Sequence, residues 1–463
     1  MMRAGLSGCL IAMVLAAAPL HAEDAVITVT LATAHDLALK NAPRISLARI
    51  EALEAQEQVA QARAAWLPQI NLAANAVRAD SLVTRIGAGG LNNPSVYDRD
   101  AVGLAGTQMI TDFGRTSDLI AAAHLHARAA ERDAQATIDQ VLLEVDLMYY
   151  RTLQGQARLV VAEQTVKDRQ LIVDRMTGMV AHQLKSDLDL GFARVNLDQG
   201  AMLLEDVRNQ LDTDRLALAS LLGYDTPQPF TVVDEAVPAL PAADAVETLV
   251  VTGLRDNPRI TRLRLEIGAA RRTRDADSEL DYPTLSAMGV AGRIVDHDPR
   301  LPDAYAAWGL SLTVPLYSGG MIASREHQSE LRAEEAELAL KAAEEDLAKD
   351  IRVAAADVRY AGTRLDLAGR LLTEVAQTMD LAQARFDLGL ISGVDLSQAE
   401  LNRTDAAMTA STAKQDLLMK LAVLNHDLGH WQTGSPKPVR QPAGNMDHPG
   451  DHPTDVQAGS DHH

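Results

Sequence analysis

Lys40-Asn41-Ala42-Pro43-Arg44-Ile45 and Arg255-Asp256-Asn257-Pro258-Arg259-Ile260 are one phrase written twice, with the prolines 215 residues apart. At the same offset Pro68, in Trp66-Leu67-Pro68-Gln69-Ile70, matches Pro283, in Asp281-Tyr282-Pro283-Thr284-Leu285. Further on, Thr111-Asp112-Phe113-Gly114-Arg115 matches Leu316-Tyr317-Ser318-Gly319-Gly320, with Gly114 set against Gly319. Ser186-Asp187-Leu188-Asp189-Leu190 then matches Ser392-Gly393-Val394-Asp395-Leu396 at an offset of 206, and Leu222-Gly223 matches Leu428-Gly429. Ordered anchors at nearly constant offsets mark an internal duplication.

Between the anchors, residues 95–226 and 316–435 hold none of the 18 prolines. Proline lacks the amide hydrogen that a helix interior needs. These Ala-, Leu-, Glu- and Arg-rich blocks therefore predict long helices, outbound over 116–177 and 321–388 and returning over 189–222 and 395–428. The outbound helices would be about 95–100 Å long at 1.5 Å per residue, with Leu331, Leu338, Leu347, Ile351 and Val358 as a packing seam.

Each copy starts with a shorter helix (45–65 and 260–280), followed by a pair of alternating segments (69–80 with 100–110, and 284–294 with 306–316). Trp308, Leu310, Leu312 and Val314 alternate with Gly309, Ser311 and Thr313, the period-2 mark of a strand with one apolar face. Segments of about ten residues suit tilted strands crossing a bilayer. The competing reading is a pair of soluble hairpins capping a helical bundle.

The chain has 463 residues, a formal charge of −20 and only 3% aromatic residues. The acidity argues against nucleic acid, whose binding depends on neutralising phosphate. Residues 1–22 read as a secretory signal: Arg3, then an apolar stretch from Cys9 to Leu20. Cys9, the only cysteine, sits ahead of that stretch and so fits poorly with a lipidation site. No later segment reaches about 18 consecutive apolar residues, so any membrane crossing must use strands. No nucleophile elbow or phosphate loop is present, and no cofactor is expected, so the chain does not read as an enzyme.

Together these features resemble the TolC-like outer-membrane factor family, over about residues 30–430. The second hairpin tip, Arg385-Phe386-Asp387-Leu388-Gly389-Leu390-Ile391-Ser392-Gly393-Val394-Asp395-Leu396, and the two strand-to-helix corners carry the resemblance. It implies an α+β membrane protein: a homotrimer whose chains each give four strands to a twelve-stranded β-barrel in outer-membrane lipid, continued by a long periplasmic α-helical barrel. Repeat 1 spans 23–223 (strand hairpin 69–110, helical hairpin 116–222) and repeat 2 spans 251–430 (284–316 and 321–428). The stretch 224–250 is an equatorial linker and 431–463 a tail. The implied function is a passive duct of a tripartite efflux or type I secretion system, partnered by a periplasmic adaptor and an inner-membrane pump. A structural periplasmic coiled-coil or adaptor protein without a barrel is the alternative.

Ser186 with Asp189, and Ser392 with Asp395, have the spacing of helix caps. The resemblance adds an acidic ring at the channel constriction, built from Asp395, with Phe386 and Ile391 beside it. It also makes the tip around Ser186, Asp189, Gly389 and Ser392 the adaptor-docking region. Where some members carry a tyrosine and an arginine that latch the tip, this chain has Phe386 and Ile391, so closure is expected to rest on apolar packing and on helix supercoiling. In the proline-rich tail, His448, His452, His462 and His463 stand beside Asp447, Asp451 and Asp461, donors suited to Zn²⁺, Ni²⁺ or Cu²⁺ or simply a solvated segment. His426 and His430 read as ordinary chemistry at a helix end.

Overall fold

The computed structural model describes residues 27–77, 99–224, 230–240, 245–296 and 302–429. The expected signal, residues 78–80 of the first expected strand, His430 and the histidine-bearing tail lie outside them. Repeat 1 contributes β1 (Ile27–Val29), α1 (Leu31–Asn41), α2 (Pro43–Arg63), β2 (Gln69–Val77), β3 (Arg99–Thr111), α3 (Arg115–Ala181) and α4 (Asp187–Leu221). Repeat 2 contributes β4 (Phe230–Val232), α5 (Val246–Asp256), α6 (Pro258–Ser278), β5 (Thr284–Asp296), β6 (Ala304–Thr313), α7 (Met321–Asp387) and α8 (Gly393–Asp427). Corresponding helices match in length: 11 residues for α1 and α5, 21 for α2 and α6, 67 for α3 and α7, and 35 for α4 and α8. A 67-residue helix is about 100 Å long. The stretch expected as a linker holds β4 and the first turn of α5.

The corners explain why the long helices start where they do. Phe113 (φ 61°) and Gly114 (φ 133°) turn the chain into α3, and Gly319 (φ 63°) and Gly320 (φ 82°) turn it into α7. Glycine adopts such angles at no steric cost. Gly114 thus corresponds to Gly320 and Phe113 to Gly319. The sequence alignment of Gly114 with Gly319 was one residue out, because the second copy uses glycine at both positive-φ positions.

Four strands form one antiparallel sheet in the order β2-β3-β5-β6. The hairpin registers repeat across the duplication: Gln69 pairs with Thr107, and Thr284 with Thr313. Following the register, one face carries Ile70, Leu72, Val102, Leu104, Trp308, Leu310 and Leu312, all exposed. The opposite face is largely small or polar, with Gln69, Asn71, Asn75, Thr107, Ser286 and Ser311. Where strands meet helices stand Trp66, Phe113, Tyr282 and Tyr317, the last three exposed. A belt of aromatics there suits the boundary between lipid and water.

Below the sheet, α2 packs against α3, and α6 packs against both α3 and α7. At mid-height β1 pairs in parallel with β4. The buried Tyr149 on α3 ties that pair down, its hydroxyl 2.8 Å from the Val233 carbonyl and 3.1 Å from that of Val29. Asparagine amides dock the ends of the returning helices: Asn41 donates to Leu222 O and Asn257 to Asp427 O. The expected seam along α7 divides. Ile351 and Val358 are buried, whereas Leu331 and Leu338 are 52% and 60% exposed.

Candidate functional site: the paired hairpin tips

At the far end of the long helices each hairpin turns within five residues, 182–186 and 388–392. The turns close alike. Gly389 N donates to Phe386 O and Leu390 N to Arg385 O, while Gln183 N donates to Val180 O and Leu184 N to Met179 O. Gly389 has φ 73° and Gln183 has φ 59°, so only the second tip meets this left-handed demand with glycine. The returning helices then start with full capping boxes. Asp189 N donates to Ser186 Oγ while Ser186 N donates to Asp189 Oδ2, and Asp395 with Ser392 does the same at 3.2 and 3.0 Å. Bonds from the Ser392 hydroxyl and amide hold the exposed Asp395 carboxyl below the usual carboxylate range.

The two tips share a core of Val173, Met176, Leu190, Ala193, Met379, Phe386 and Leu396, with Ile391 packed against it. Phe386 is 1% exposed, so within the protomer it is a core residue joining the tips and not a side chain lining an open passage. Ile391 is half-buried on the same core. Of the three residues assigned to the constriction, only Asp395 presents its side chain outward.

Polar links also join the two hairpins within the protomer. Lys185 Nζ lies 3.8 Å above the Phe386 ring and 3.5 Å from its carbonyl oxygen. Asn196 Nδ2 donates to Ser397 Oγ at 2.7 Å, Arg403 pairs with Asp168 at 3.2 Å, and Arg175 with Asp387 at 3.6 Å. Different residues thus supply the polar links that Phe386 and Ile391 do not.

Above this core, α3, α7 and α8 enclose a groove of 440 Å³ lined by Val160, Leu171, Ile172, Met379, Arg403 and Glu400 among others. Arg169 and Glu400 are 5% and 8% exposed. Arg169 Nη1 donates to Asn196 O at 2.5 Å across a notch left by Gly200, where a Cβ would come within 3.2 Å of the arginine. Sequence reading missed this pair. The signal was there: Arg169 shares a helix face with Val173 and Met176, and Glu400 follows Leu396 by four, so both are charges on apolar seams. Among the described residues no group of three or more His, Cys, Asp or Glu side chains could hold a metal ion. No described helix is long and apolar enough to cross a membrane, a statement that leaves strands aside.

The family model described as outer membrane efflux protein matches residues 34–224 and 249–430. The outer membrane protein TolC of Vibrio cholerae is 25% identical over 420 residues, covering 88% of this chain and 92% of TolC. A crystal structure of a membrane protein from Pseudomonas aeruginosa superposes with a TM-score of 0.77 at 20% identity, covering 87% of this chain and 91% of that one. The Campylobacter jejuni CmeC outer membrane channel gives 0.75 at 19% identity, covering 86% and 85%.

Proposed function

The chain belongs to the outer membrane efflux protein family, and on that footing we propose that it is the passive duct of a tripartite exporter. Three copies would close a twelve-stranded barrel and a helical tunnel, with an adaptor docking at the tips and an inner-membrane pump supplying energy. The supporting observation is the half-finished state of one chain. Inside it, β3 of repeat 1 pairs with β5 of repeat 2, yet among the described residues β2 and β6 end the sheet with one edge each unpaired. Open edges are not viable in hydrocarbon. The helices leave the same gap: α6 packs against both α3 and α7, whereas among the described residues its counterpart α2 packs chiefly on α3 and leaves Leu47, Ile50 and Leu53 exposed. By the duplication, α7 of another copy fills that place, covered by its exposed Leu331 and Leu338. A periplasmic coiled-coil or adaptor without a barrel is set aside by the family membership.

In this assembly the small and polar sheet face lines the passage, and the pump selects the cargo, whether drug, metal ion or polypeptide. Three outward Asp395 carboxylates would meet at the closed tip as an acidic ring. The turns at Ser186, Asp189, Gly389 and Ser392 would receive the adaptor. If the tail histidines serve metal efflux, deleting 435–463 sensitises cells to copper, zinc or nickel; unchanged tolerance at normal protein levels removes that role. Native mass measurement of protein extracted from outer membranes tests the duct. A trimer that conducts in planar bilayers is expected, and a stable monomer would contradict it.

A further inference from the structure

At the turns the seam between the hairpins has an apolar core with charged groups on its exposed rim, and higher up it buries an ionisable group, Glu400 of α8, against the first hairpin. That hairpin fixes its own cation. Arg169 is held by the Asn196 carbonyl in the Gly200 notch, and its Nε has no partner. Glu400 is different: it rides on the other hairpin, lines the groove, and passes into water if α8 moves away from α3. We propose that Glu400 is a proton-operated catch, which keeps the two hairpins together when protonated and favours their parting when ionised. The inference rests on reading the tips as the moving end of a duct.

The charged groups around it set the direction. α3 presents Asp168, Arg169 and Arg175, α7 presents Asp380, and α8 itself carries Arg403 and Asp405, while α4 offers Asp189, bonded to Ser186 at the start of that helix, and the uncharged Asn196 and Gly200. Asp168 is already paired with Arg403. Burial dominates and pushes the Glu400 carboxyl up to about 7, against the pull of Arg169 and with the push of Asp168. In water the same group would titrate near about 4.3. A carboxyl raised in the packed state stabilises packing fully below its ordinary value, and that contribution is lost as pH rises through about 7. The ratio of packed to parted hairpins should therefore fall by up to about tenfold per pH unit across that interval.

Spin labels on Leu171→Cys of α3 and Asn402→Cys of α8 in the full-length protein read the spacing directly, with Cys9, the sequence's only native cysteine, replaced by alanine. The expected result is a distance distribution that lengthens between pH 5 and pH 8 in the otherwise native protein. With Glu400→Gln added, it should stay short at pH 8. A native distribution that is the same at both pH values overturns the catch, whatever the variant does, and so does a Glu400→Gln protein that shifts as the native one does. Bilayer recordings on the same protein keep the two readings apart. Conduction with a pH-invariant spacing sinks the catch and leaves the duct, whereas a Glu400-dependent spacing without any channel upholds the catch and sinks the duct.

Discussion

Asp395 serves two purposes that pull its proton affinity in opposite directions. Within one protomer, the Ser392 hydroxyl and amide favour its charged form. Three such carboxylates meeting at a closed tip would repel one another and oppose that effect. The ring would also concentrate cations at the narrowest point of the passage. Asp395→Ala should therefore lower cation selectivity and abolish block by di- or trivalent cations from the periplasmic side, as read in planar bilayers, with the trimer intact. Identical selectivity and block in mutant and native channels would reduce Asp395 to its capping role. The cap was legible from the Ser-x-x-Asp spacing alone. The burial of Phe386 was not, because it depends on Val173 and Met176 of α3 and Leu190 of α4, which belong to the other hairpin and which sequence periodicity cannot pair with it.

Among the elements, the two hairpins differ most at their turns. The first carries Gln183 at φ 59° where the second has Gly389 at φ 73°. A side chain in the left-handed region costs about 1–2 kcal/mol, partly offset by the larger entropy that glycine loses on folding. Gln183→Gly should thus stabilise the last turn of α3 by about 1 kcal/mol. Amide exchange at Gln183 and Leu184 should slow by about fivefold, and unchanged or faster exchange would contradict the assignment. Helix positions were readable because proline-free blocks and repeated Ser and Gly anchors bound them closely. The seam was only half readable. Leu331 and Leu338 lie about half a turn around α7 from Ile351 and Val358, so a single seam cannot hold all four, and in the proposed trimer another copy would cover the first two.

At the scale of the whole molecule, the duplication supplies a register for the missing contact. Within the chain Thr107 pairs with Met288 and Ala105 with Val290. Shifting β3 by 206 and β5 by 215, the offsets that the hairpin registers obey, maps these pairs onto Thr313 with Ala73 of the partner subunit and Ser311 with Asn75 of the partner subunit. Ser311 and Asn75 both lie on the polar face, as a pair across a closed barrel must. The direct measurement is oxidative cross-linking of a Ser311→Cys, Asn75→Cys, Cys9→Ala protein in intact outer membranes. Closure as described predicts covalent dimers and trimers on non-reducing gels that collapse to monomer on reduction, with no such links when the cysteine at 75 is moved to Asn71. Monomer throughout, or links that form equally well from Asn71, would contradict a barrel closed by joining β6 of one copy to β2 of the next.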